Sequence, residues 1–200
     1  MLKSLMFCKF AVQCVAVVAV ASSGCAKQSA AAGDGPEHPS PVSEKPDPGS
    51  GSIQPAAIIA ETPKAKGLVE ALNAYAVMRK ALAADDLSAA KAAAPNASEK
   101  VTALQSHFAD KADEVKAMAA AAAKVGSSAE IAIARMAFGE FSRTIIGLVA
   151  TDPGVAGGVV CYRCPMAKNY QKWLQLGDDM GNPYWGAEML KCGSKVPVKS

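Results

Sequence analysis

Beyond Cys25 every cysteine lies near the C-terminal end of the chain, where Cys161, Cys164 and Cys192 stand with Met166, Met180 and Met189 among them. Cys164 precedes Pro165, a position that favours extended backbone. Residues two apart on an extended segment point to the same side, so Cys164 and Met166 can aim both sulfurs one way. Met189 and Cys192 are three apart, which puts them on one face of a helical turn, and Gly193 reads as the stop of that turn. Two sulfur pairs of this kind can converge on one soft ion. Thiolate and thioether ligands favour Cu(I), whereas zinc takes thiolate, imidazole or carboxylate. The candidate metal site is therefore Cys164, Met166, Met189 and Cys192, with Cys161 as an optional ligand and Cu(I) as the ion.

A second chemistry is open to the same residues. In an oxidising compartment two cysteines of a small domain pair by default. A Cys164–Cys192 disulfide would close a loop worth ~3–4 kcal/mol by the chain-entropy argument, leaving a stapled helical interaction module with no metal. A third, a thiol–disulfide oxidoreductase built on Cys161-x-x-Cys164, lacks the βαβ setting of a thioredoxin-like motif. His38 and His107 are far apart, no glycine-rich phosphate loop follows a strand, and the acidic residues sit on helix faces. The expectation is a binding protein, not an enzyme, with no cofactor beyond Cu(I).

The elements that must position this tail are helical. Thr62 can cap a first helix with Pro63 at its first position, and Leu68, Leu72, Tyr75, Arg79 and Leu82 recur at three and four residues. A short second helix is expected from Asp86 to Ala94, capped by Asp85 and stopped at Pro95. A third is expected to open at Ser98, carry Val101, Leu104, Phe108, Val115 and Met118, and run out near Val125-Gly126. Ser127 with Glu130 has capping-box spacing for the fourth, whose stripe is Ala134, Phe138, Phe141, Ile145 and Leu148. The fold class read from this pattern is all-α: an antiparallel bundle of about four Ala-rich helices. It carries an irregular Cys/Met tail with a short strand near 159–164.

The N-terminal end supplies a cellular address. Lys3 and Lys9 flank a short start, and the apolar run from Phe10 to Ala21 is too short to span a bilayer. Ser22, Ser23 and Gly24 then precede Cys25, an exit that resembles the lipobox of bacterial lipoproteins, in which the cysteine is acylated. The resemblance implies a signal peptide over 1–24, lipidation at Cys25 and membrane attachment through the lipid. With Ala26 next, it implies an outer-membrane location facing the periplasm. From 25 to 62 the chain is rich in Ala, Gly, Ser and Pro and reads as a disordered tether; 63–200 is the helical domain with its tail. The whole chain has 21 Lys and Arg against 18 Asp and Glu, and losing Lys3 and Lys9 with the signal leaves 19 against 18. That near-neutral balance, without a basic run, argues against nucleic acid.

The tail also carries a family resemblance. Cys164-Pro165-Met166, Lys172-Trp173-Leu174, Asn182-Pro183-Tyr184, Gly186 and Met189-Leu190-Lys191-Cys192-Gly193 look like a domain of unknown function of periplasmic proteins and lipoproteins. That domain also occurs as a C-terminal extension of heavy-metal efflux adaptor subunits. Tyr75, Lys80-Ala81-Leu82-Ala83-Ala84-Asp85-Asp86, Arg135, Phe138 and Ser142 fit it too, so the resemblance spans roughly Pro63 to the C-terminus. It implies a helical bundle closed by the cysteine tail and an association with copper or silver handling. The partners it implies are heavy-metal efflux components or a cuproprotein. Cys161 is an addition to the family pattern.

Overall fold

The computed structural model describes residues 57–199. The signal peptide, the acylated Cys25 and nearly all of the tether expected from the sequence lie outside the described residues. Helix α1 spans Pro63–Ala83, with the Thr62 hydroxyl accepting from Ala65 N at 3.1 Å. Just before it, Ile59 N donates to Gly154 O at 3.2 Å and Ile58 packs on the core.

Helix α2, Leu87–Ala103, is capped by Asp86 rather than Asp85: its carboxylate accepts from Ala89 N at 2.8 Å. Asp85 instead takes a left-handed conformation (φ 58°), one that Asp tolerates better than most residues. Its carboxylate is thereby free for a distant partner. The expected stop at Pro95 is overridden, because Pro95 lies inside α2. A mid-helix proline costs ~3 kcal/mol. Burial of Ala90, Ala94, Ala97 and Val101 against α1 and the following helix offsets that cost.

The helix expected from Ser98 to Val125 is broken. Its first part belongs to α2, and two 3-10 turns, Leu104–Ser106 and Ala109–Lys111, separate it from α3, Ala112–Ser127. Leu104 and Phe108 are both buried across this bend. The Ser127–Glu130 capping box does not form. Ser127 and Ser128 spend their hydroxyls on Lys124 O of the preceding helix, at 3.3 and 2.7 Å. Glu130 stands at the N-cap of α4, Ile131–Val149, without a side-chain capping bond.

The stripe Ala134, Phe138, Phe141, Ile145 and Leu148 is fully buried. Phe138 stacks on Tyr75 with ring centroids 4.8 Å apart, and Phe141 meets Tyr75 edge-on at 5.2 Å. Helices α1 to α4 pack in sequence order and α4 returns to α1. A short α5, Pro153–Ala156, follows, capped by Asp152. Among the described residues no helix is long and apolar enough to cross a membrane.

The tail is more regular than its sequence suggests. Strands β1 (Val160–Arg163), β2 (Lys172–Gln175) and β3 (Ser194–Val196) form an antiparallel sheet in the order β2-β1-β3. The fold is mostly helical with this small sheet, not purely all-α. Cys161 lies opposite Leu174 on one side and Val196 on the other. The Tyr75 hydroxyl, bonded to Ser142 Oγ at 2.8 Å, accepts from Leu174 N at 3.2 Å and so fixes β2 on the helices.

Candidate functional site

Side chains alternate along β1, and that alternation divides the cysteines. Val160 and Tyr162 face one way, and Cys164, just past the strand, continues that side. These three pack with Ala167 and the fully buried Trp173 in a small second core. Cys161 faces the other way, into the helical core, where its exposure is 1%. Burial pushes its thiol up to about 11, so it stays protonated near neutrality. Cys161 and Cys164 are three apart on an extended chain and point to opposite sides, so they do not act as one Cys-x-x-Cys pair.

Cys192 arrives from the far end of the tail. Its Sγ lies 3.0 Å from the Sγ of Cys164, with all three described cysteines as free thiols. The Cys164 contact and partial burial hold the Cys192 thiol above its ordinary value. Met180 packs on the same cluster. Its Sδ lies 3.4 Å from where a Cβ on Gly193 would stand, and Trp173 Cη2 lies 2.9 Å from that point, so only glycine fits there. Met166 is 55% exposed: the Cys164-Pro165-Met166-Ala167 segment is a turn closed by Ala167 N to Cys164 O at 3.3 Å, not the extended run expected. Met189 does form a turn with Cys192, whose N–H donates to Met189 O at 3.0 Å. Its half-buried side chain is not among those packed on the cysteine cluster.

Two buried or half-buried amides hold the cysteine loops. Gln171 donates from Nε2 to Pro165 O at 3.0 Å and to Ala167 O at 3.2 Å, clamping the Cys164 turn, and Gln171 O accepts from Cys164 N. Arg163 in turn donates twice to Gln171 Oε1. Asn182, fully buried, donates from Nδ2 to Cys192 O at 3.1 Å, and its backbone N–H donates to Leu190 O at 2.9 Å. Its Oδ1 accepts from Tyr184 N at 2.9 Å. Sequence reasoning did not single out Met180, Gln171 and Asn182 as site-forming, although Asn182 stands in a quoted motif and Met180 among the tail sulfurs.

Two arginines bind the tail to the helices. Arg79, nearly buried on α1, donates to Gly181 O at 2.7 Å. Arg135 on α4 donates to Pro183 O at 3.0 Å, to Leu82 O at 2.9 Å and to the Asp85 carboxylate. The other Asp85 oxygen accepts from Ala187 N at 2.8 Å. The 3-10 turn Gly186–Met189 thus begins against this clasp; Gly186 has φ 58°, and a Cβ there would collide with both Asp85 and Arg135. A cleft of about 300 Å³ beside it is lined by Met136, Tyr170, Tyr184, Trp185 and Glu188 among others, but by neither Cys164 nor Cys192.

As a donor set, Cys164 and Cys192 offer two adjoining thiols, and Met180, packed on the same small core with its sulfur near Gly193, offers a thioether in the same region. Among the described residues no three His, Cys, Asp or Glu side chains gather as a metal cluster. No curated protein and no solved structure matches the chain. A family model described as a protein of unknown function (DUF3347) matches residues 71–154. The match runs from within α1 into α5 and leaves the cysteine tail outside it, so over those residues the chain is similar to a domain of unknown function.

Proposed function

We propose that the protein binds Cu(I) as cargo, through Cys164 and Cys192 with Met180 as the thioether. It would hold the ion in the cell envelope for buffering or hand-over to an efflux component or cuproprotein. The observation that carries this reading is the 3.0 Å approach of two thiols from opposite ends of the tail, with Met180 packed on the small core that holds Cys164. Met166 and Met189 play no direct part in this version, because one is exposed and the other lies off the cluster. Lipidation at Cys25 would keep the domain at the membrane, in the periplasm-facing setting that the lipobox resemblance implies.

The test is a titration of the reduced chain with Cu(I) against a competing chelator. One tightly bound ion, lost in the Cys164→Ser and Cys192→Ser variants, is expected. Affinity that survives both substitutions removes the assignment.

The same short separation supports a second reading, a Cys164–Cys192 disulfide stapling the tail with no metal. The sulfurs are about 1 Å farther apart than in a disulfide, so oxidation needs only a small movement. Alkylation under denaturing conditions of protein taken straight from cells separates the two readings, since disulfide-bonded Cys164 and Cys192 resist alkylation even when unfolded and reduced cysteines do not.

A further inference from the structure

We infer that Cys192 is the exchanging sulfur of the pair and Cys164 the retained one. Cu(I) would then leave by ligand replacement at Cys192 to an acceptor that offers its own thiolate or thioether. The inference rests on the copper reading and adds direction to it. Cys164 has 0% exposure and sits among Tyr162, Ala167 and Trp173. Its loop is fixed on both sides, by Gln171 O accepting from its N–H and by the Gln171 amide on Pro165 O and Ala167 O. No incoming ligand can reach that sulfur without opening the small core.

Cys192 differs on each count. It is half-buried, it follows the exposed Lys191 and precedes Gly193, and its chain continues into β3, which pairs with the sheet through β1 alone. A soft ligand from solvent or from a partner therefore meets Cys192 first. Exchange of that kind needs no oxidant. The bond from Cu(I) to Cys192 breaks as the bond to the incoming sulfur forms; a thiol acceptor gives up the proton that Cys192 takes up, with a thiolate or thioether acceptor Cys192 takes its proton from water, and the ion stays Cu(I).

The experiment uses the reduced full chain, loaded with Cu(I) and kept free of oxygen, with glutathione as the incoming thiol. Cu(I) release is followed by a chromogenic chelator, and a limiting dose of a charged alkylating reagent is mapped by mass spectrometry. Release should rise in proportion to glutathione, and label should appear on Cys192 at least about tenfold faster than on Cys164. Bound Cu(I) with equal labelling of the two cysteines, or with release independent of glutathione, overturns this inference and leaves the copper reading standing. A chain that takes up no Cu(I) overturns the copper reading, and the hand-over with it.

Discussion

Arg135 on α4 reaches Asp85 in the α1–α2 connection at 2.5 Å, and through that contact the helices grip the tail. The pair is not an ordinary surface ion pair. The arginine side chain is 16% exposed and also serves Leu82 O and Pro183 O, while Asp85 receives Ala187 N. Replacing Arg135 by Met keeps the side-chain bulk and removes a charged donor from Pro183 O, Leu82 O and the Asp85 carboxylate, of which Leu82 O keeps Asp85 N and Asp85 keeps Ala187 N. The expected loss in urea unfolding is ~2–3 kcal/mol, the cost of losing charge-assisted hydrogen bonds at a partly buried site. A loss below ~0.5 kcal/mol, as for exposed ion pairs, would show that the clasp is decorative.

Acid should release the same clasp. The Ala187 N–H and the Arg135 guanidinium hold the Asp85 carboxyl below its usual range. A depressed carboxyl stabilises the fold above its unfolded value, ~3.9, and that contribution disappears as pH falls through the lower folded value. The stability gap between the native chain and an Asp85→Asn variant should therefore be full at pH 6 and shrink below about pH 4. Thermal melts of both proteins across that range check it. A gap that does not change with pH would assign the effect of the substitution to geometry instead of charge.

Much of the helical body was legible because its signals are local and periodic. The Thr62-Pro63 start and the α4 stripe depend on neighbours within a few residues, and both stand as read. The errors fall where distant packing decides. Pro95 stays inside α2 because α1 and α3 bury the helix around it, and Asp85 yields its capping role to Asp86 because Arg135 and Ala187 claim its carboxylate. β2 and β3 were missed because a four-residue strand buried on both faces and a three-residue strand that is mostly exposed show no alternation to read. In the tail, the period-two rule that grouped Cys164 with Met166 fails beyond β1, where Pro165 enters a turn. Carried along β1 and only one residue past its end, the same rule puts Cys161 and Cys164 on opposite sides. The Met180 placement had no local signal, since it depends on Gly193 leaving room beside Trp173.

Cys161 provides a control for the site. Its thiol is buried in the helical core, pushed up to about 11, and faces away from Cys164. A Cys161→Ala variant should cost ~1 kcal/mol of stability, the price of a small cavity, and leave Cu(I) affinity unchanged. Cys161→Ser should cost more, because the hydroxyl would be buried among apolar groups. A tenfold or larger fall in Cu(I) affinity in the alanine variant would bring Cys161 back as a ligand.

Copper binding should depend steeply on pH. Each thiol must lose its proton to ligate, and the Cys164 contact holds the Cys192 thiol above its ordinary value, so protons compete well at neutrality. Affinity should rise with pH, by about two decades per unit while both thiols are protonated in the free protein. Competition titrations at pH 6 and pH 7.5 measure the slope. A slope near one decade per unit would mean that a single cysteine binds.

The choice of thioether can be decided by two substitutions of similar shape. Met180 packs on the small core that holds Cys164, with its sulfur beside Gly193, whereas Met166 is turned out to solvent. Leucine keeps most of the volume of methionine and removes the sulfur, usually at less than ~1.5 kcal/mol in folding stability. Met180→Leu should therefore leave the fold intact and weaken Cu(I) binding by about tenfold, as expected when a soft ligand is lost from a thiolate pair. Met166→Leu should leave the affinity unchanged. The reverse pattern would mean that the Cys164 turn rearranges when the ion binds, swinging the exposed Met166 over the cysteines. X-ray absorption at the copper edge then distinguishes a lost sulfur neighbour from a shifted one, because only the former lowers the sulfur coordination number.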